Sequence, residues 1–122
     1  MTNQTQSSKS KEKYDLEERT AKFGETIIDF LKNIPDSTIN KPLISQLLRS
    51  ATSVGANYME ADAASSKKDF RHKISLCKKE SKETLHWLRM VVKANPSKKE
   101  QARSLWKESK ELVLIFSSIL LK

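Results

Sequence analysis

An all-α fold, built as an antiparallel up-down-up-down four-helix bundle, is predicted by three observations. Gly and Pro number only 2 and 3 in 122 residues, too few punctuators for a sheet-rich domain. Apolar residues recur at spacings of three and four in four separate stretches, with no strand-like alternation. The breaks between those stretches are short, falling at Pro35, at Ser65 with Ser66, and at Asn95 with Pro96. A chain of this length holds one core, so 14–122 reads as a single bundle domain. A polar, basic leader over 1–13 has no apolar period and is expected to be disordered.

The first helix is expected from about Asp15 to Asn33. Leu16, Phe23, Ile27, Phe30, Leu31 and Ile34 fall on one face, and Asp15, Glu17 and Glu18 suit the positive end of its macrodipole. Pro35 stops it. Asn40 is the expected cap of the second helix, with Pro42 tolerated in the first turn. That helix continues to about Ala64 on Leu43, Leu47, Val54, Tyr58 and Ala61. Ser66 with Asp69 three residues on is a near variant of the capping box and starts the third helix. Phe70, Ile74, Cys77, Leu85, Leu88 and Val92 form its expected apolar face. Asn95 is the expected cap of the fourth helix, and Pro96 its first residue. Leu105, Leu112, Phe116 and Ile119 then point inward.

Composition excludes several classes of protein. One cysteine cannot make a disulfide framework within the chain. The first residues contain no apolar stretch resembling a signal peptide, and the longest apolar run, 112–121, is ten residues broken by Ser117 and Ser118. A spanning helix needs about 20. A cytoplasmic protein with no membrane partner is expected. Phosphate loops and hydrolase elbows cannot be built with glycine only at 24 and 55.

The net charge is +8, and its placement matters more than its size. Residues 65–122 hold 15 Lys and Arg against 6 Asp and Glu, whereas 14–64 hold 5 against 8. On the wheel of the third helix, Lys68, Arg71, Lys78, Lys79, Lys82, Arg89 and Lys93 share one arc of about 100° with no acid among them. The fourth helix carries Lys99, Arg103, Lys107 and Lys110 in a stripe, with Glu100, Glu108 and Glu111 beside it. The outer side of the first helix is acidic, with Glu17, Glu18, Glu25 and Asp29. Charged stripes are common on solvated helices, but those usually mix signs into i,i+4 pairs. Like charges in one arc repel unless a polyanion or an acidic neighbour relieves them. The candidate nucleic-acid contacts are therefore Lys68, Arg71, Lys78, Lys79, Lys82, Arg89, Lys99, Arg103, Lys107 and Lys110, binding an RNA or DNA backbone by counterion release. This basic stripe has no aromatics for base stacking, so sequence-specific single-strand readout is not expected. The other relief is the acidic face of the first helix, in the same chain or in a neighbour.

Apolar residues between 112 and 121 run almost all round the helix, more than one face of a bundle can hide. With Trp87 they point to a homo-oligomer whose interface is expected at Trp87, Leu114, Ile115 and Phe116. In the second helix Gln46, Ser50, Ser53, Asn57 and Glu60 follow at alternating spacings of four and three. Small residues beside them, Ala51, Gly55, Ala56 and Ala61, permit close helix approach. A hydrogen-bonded polar seam is expected there, reaching Glu80 and Ser81.

Gln46 to Ala61, then Ser65 to Phe70, Lys79 with Glu80, and Trp87 to Arg89 resemble the bacterial four-helix-bundle family encoded in intervening sequences of large-subunit ribosomal RNA genes. The resemblance spans about Leu16 to Leu121. It implies an antiparallel four-helix bundle assembling as a ring-like homopentamer, with a non-enzymatic role linked to ribosomal RNA. The accessory protein of diversity-generating retroelements is similar in architecture. That similarity implies a further protein partner, a reverse transcriptase.

No catalytic residue, metal site or cofactor is expected. Glu83 and His86 match the Glu-x-x-His of di-iron bundles, but one copy without further inward carboxylates does not make that site. Cys77 sits on the apolar face as a small core residue.

Overall fold

The computed structural model describes the backbone of residues 4–122 and the side chains of residues 16–122. The side chains of the leader expected over 1–13 lie outside the described residues, while its backbone from Gln4 on is helical, ahead of the start expected at Asp15. Among the described residues the chain forms four α-helices and no strand: α1 (Gln4–Leu31), α2 (Asn40–Asp62), α3 (Lys67–Ala94) and α4 (Lys99–Leu121). A 3-10 turn, Pro96–Lys98, leads into α4.

The ends of the helices show which local signals act. Ser66 caps α3 as its spacing predicts, its hydroxyl accepting from the Asp69 N–H at 3.0 Å. Asn40 does not cap α2. The Asn40 N–H donates to the Ser37 hydroxyl at 2.9 Å, and the Lys41 N–H to the Ser37 carbonyl at 3.0 Å. The Asn40 side chain turns inward instead and exchanges two amide hydrogen bonds with Asn95, of 3.0 and 2.9 Å. Asn95 also donates to the Val91 carbonyl, so it finishes α3 rather than capping α4 with its side chain. This clasp ties the start of α2 to the end of α3.

Long-range pairs fix the topology. Glu60 meets Lys73 and Arg49 meets Glu80, so α2 and α3 run antiparallel. Ser109 meets Ser81 and Arg71 meets the Leu120 carbonyl, so α3 and α4 do too. The α1–α2 approach is close: a Cβ added at Gly55 would lie 3.5 Å from the Thr20 backbone, and one at Gly24 would lie 3.6 Å from Thr52. The bundle closes where the Arg19 guanidinium forks onto Glu108, at 2.7 and 2.9 Å, across α1 and α4. That bidentate bond raises the Arg19 pKa well above its ordinary value.

Ile27, Leu47, Val54, Ile74, Leu88, Leu112 and Phe116 are almost wholly buried at the centre. Phe116, expected at an interface, is 0% exposed and lies 6.4 Å from the Tyr58 ring centroid. It is a core residue because its period continues Leu105 and Leu112. The buried face of α3 is Ile74, Cys77, Ser81, Thr84, Leu88 and Val91. Leu85 and Val92, expected on that face, are half-buried flanks, since two hydroxyl residues occupy the inward positions. Ser50, Ser81, Thr84 and Ser109 form a fully buried polar layer across α2, α3 and α4. Thr84 bonds Ser50 at 2.9 Å, and Ser109 donates to the Ser81 carbonyl at 2.8 Å. Among the described residues no buried side-chain polar atom lacks a partner.

Candidate nucleic-acid interface

The two helices that carry the excess positive charge are neighbours, and four of their six acids are taken by arginines of the other two helices. On α3, Glu80 and Glu83 turn toward α2 and are taken by Arg49. On α4, Glu108 and Glu111 turn toward α1 and are taken by Arg19. What remains on the α3–α4 side is cationic. Lys68, Arg71, Lys79, Lys82 and Arg89 of α3 are exposed, and Lys78 is half-buried. Lys99, Arg103, Lys107 and Lys110 of α4 are exposed. Arg103 holds Glu100 at 3.0 Å in a solvent-exposed i,i+3 pair, and Arg71 donates to the Leu120 carbonyl at 2.8 Å. The other eight make no ion pair among the described residues.

Arg89, Lys99 and Arg103 converge on a groove of about 350 Å³ between α3 and α4. Leu88 and Ala102 make its floor, with Val92 and Trp106 on its sides. Sequence reasoning passed over Trp106, because the wheel of one helix does not reveal which neighbour's cations it meets.

The polar stripe of α2 divides between two environments. Ser50 joins the buried hydroxyl layer. Ser53 and Asn57 are half-buried and bond back to their own helix, to the Arg49 and Ser53 carbonyls. Gln46 accepts from Arg49, while Glu60 holds Lys73 at 2.7 Å and raises its pKa by hydrogen bonding. Glu80 is reached through Arg49, so the seam to α3 is ionic at its edge and hydroxylic inside. Trp87 is half-buried beside it, donating to Glu83 at 3.2 Å, with the His86 ring edge-on at 4.8 Å. Leu114 is 68% exposed and Ile115 half-buried.

On the opposite side, Glu17, Glu18 and Glu25 rim a groove of about 450 Å³ between α1 and α2. Ile28 and Met59 lie exposed within it. The molecule thus has one acidic and one basic groove, back to back.

The family model of the 23S rRNA-intervening sequence proteins matches residues 9–118. The chain belongs to that family. The fold of this 23S rRNA-intervening sequence protein is similar to a crystal structure of a protein of unknown function from the S23 ribosomal protein family of Bacteroides thetaiotaomicron. The TM-score is 0.76 at 30% identity, covering 88% of this chain and 99% of that one. No curated protein matches the chain. No helix among the described residues of this family member is long and apolar enough to cross a membrane. Among the same residues, no three His, Cys, Asp or Glu side chains gather as metal ligands. The carboxylate of Glu83, half of the Glu-x-x-His pattern, is engaged by Arg49 and Trp87.

Cys77 is fully buried, its Sγ 3.6 Å from the Val54 carbonyl, and desolvation pushes its pKa up to about 12. The native thiol is therefore protonated at neutral pH and should resist alkylation until the bundle unfolds. Its native pKa lies above the unfolded value of 9.0, so the native state binds the extra proton. Stability is expected to fall as pH rises from 9 toward 12, by at most about 1.4 kcal/mol per pH unit from this group. Tyr58, raised by burial, acts with the same sign. Urea titrations at neutral pH and near pH 10 would measure the loss, and flat stability would contradict it.

Proposed function

We propose that this protein is a non-enzymatic, oligomeric bundle of the cytoplasm that binds structured nucleic acid, ribosomal RNA foremost, through the phosphate backbone. The carrying observation is the α3–α4 face, where eight cations with no carboxylate partner among the described residues line two adjacent helices. Such a face releases counterions when it meets a polyanion. The family's name, which ties it to 23S rRNA intervening sequences, supports the same partner. Leu114 and Leu121, 68% and 89% exposed, offer apolar area for self-association, and the resemblance in sequence implies a ring-like homopentamer.

The test is binding of the purified protein to ribosomal RNA fragments over a range of salt. Affinity should fall linearly on a double-logarithmic plot, with a slope near one per phosphate contacted. Absence of salt-dependent affinity for any RNA or DNA would end this reading.

A second reading is favoured by the acidic groove. Glu17, Glu18 and Glu25 around exposed Ile28 and Met59 complement the basic face in charge. A neighbour's α3–α4 face docked there would make the basic face structural, and the particle a protein-interaction oligomer. Light scattering separates the readings when the basic face is reversed in charge, as argued below.

A further inference from the structure

We propose that the groove between α3 and α4 is a stacking pocket for one unpaired base of a bound nucleic acid strand. The inference rests on the nucleic-acid reading above and adds to it a specific site and a preferred strand form. The groove combines two chemistries that phosphate binding alone does not need together. One is an indole wall: Trp106 stands half-buried beside Val92, over a floor formed by Leu88 and Ala102. The other is a cationic rim, Arg89, Lys99 and Arg103, with no carboxylate among the lining residues. Arg89 and Lys99 are free of ion pairs among the described residues. Arg103 holds only the exposed Glu100, a contact weak enough to exchange for phosphate.

A nucleotide matches this pairing of surfaces. Its base has two π faces for an indole and a guanidinium plane, and its phosphate answers a lysine. The volume, about 350 Å³, is at the small end of ligand sites and suits one ring system with its sugar. An amphipathic peptide helix anchors over i, i+3, i+4 and i+7 and needs a longer trough. The rim also sits within the run of cations from Lys78 to Arg103, so a strand tracking those phosphates passes over the groove. The basic stripe of α3 carries no stacking aromatic of its own; the one in this groove comes from α4.

The experiment uses Trp87→Phe, which leaves Trp106 as the only tryptophan. Its fluorescence is followed during titration with a short oligo-adenylate RNA, a blunt RNA duplex, and a peptide of glutamates and leucines. Saturable quenching by oligo-adenylate is expected. Trp106→Leu should weaken oligo-adenylate binding about tenfold and leave the duplex within about twofold. Trp106→Phe, which keeps a stacking face, should retain most of the affinity. Arg89→Gln should weaken oligo-adenylate more than duplex, and it stands in if Trp106→Leu fails to fold. Duplex binding without quenching by oligo-adenylate, or equal losses on both RNAs, overturns the stacking pocket while leaving the phosphate-binding face intact. Quenching by the acidic peptide alone overturns it in favour of a protein site. If neither RNA binds, both the pocket and the proposed function fall.

Discussion

Reversing Lys78, Lys82 and Arg89 to Glu together should lower RNA affinity by about two orders of magnitude at physiological salt. The salt slope should shrink by about 3, one for each phosphate contact removed. The three positions sit on the face that α3 shares with α4, and none is engaged in an ion pair among the described residues. No internal partner is orphaned by the change, so helix content and thermal midpoint should hold. The oligomer decides between the two readings of the basic face. A variant that loses RNA but keeps its wild-type mass supports a nucleic-acid surface. A variant that separates into monomers assigns the face to the neighbour's Glu17, Glu18 and Glu25.

Phe116→Ala should cost about 3–5 kcal/mol, against a total of about 5–15 kcal/mol for a domain of this class. The side chain is wholly buried and backs onto Tyr58. The void would open inside a core cluster drawn from all four helices, so the upper part of the range is expected. Leu114→Glu, two residues earlier, should leave the midpoint nearly unchanged, since that side chain is 68% exposed. If the chain self-associates through α4, Leu114→Glu lowers the mass seen by light scattering without unfolding the protomer. Equal thermal losses at the two positions would contradict the burial described here.

Signals that act within one turn could be read directly from the sequence. Ser66 caps α3 because its partner, the Asp69 N–H, is three residues away. The four helices followed from period and punctuation for the same reason. Roles settled by a distant partner could not be read so. Asn40 has the composition of a cap, and only the approach of Asn95, 55 residues later, turns it into a clasp. Ser81 and Thr84 interrupt the apolar period of α3, so a wheel moves the core to Leu85 and Val92. Ser50 and Ser81 are legible as parts of a polar seam, whereas Thr84 and Ser109 join the layer only through their partners on other helices. An apolar run such as 112–121 hides which side is core, because every side looks alike. The helical period places Phe116 inward with Leu105 and Leu112, while the apolar surplus places it with Leu114 at an interface; burial decides for the core and leaves Leu114 exposed. The basic face was legible as two separate stripes; that they adjoin, with Trp106 between them, is a property of packing.

The hydroxyl layer fixes the axial position of three helices. Ser50, Ser81 and Thr84 also bond carbonyls of their own helices, but sliding α3 by one turn, about 5.4 Å, would break the Thr84–Ser50 bond and take the Ser81 carbonyl away from the Ser109 hydroxyl, at roughly 1–3 kcal/mol for a group left unpaired. Apolar packing alone tolerates such slips, since one leucine resembles the next. The bundle is therefore a ruler whose zero is set in its interior. The ladder of positive charges on its exterior keeps a constant pitch, and any partner that fits one molecule will find the same spacing on every copy.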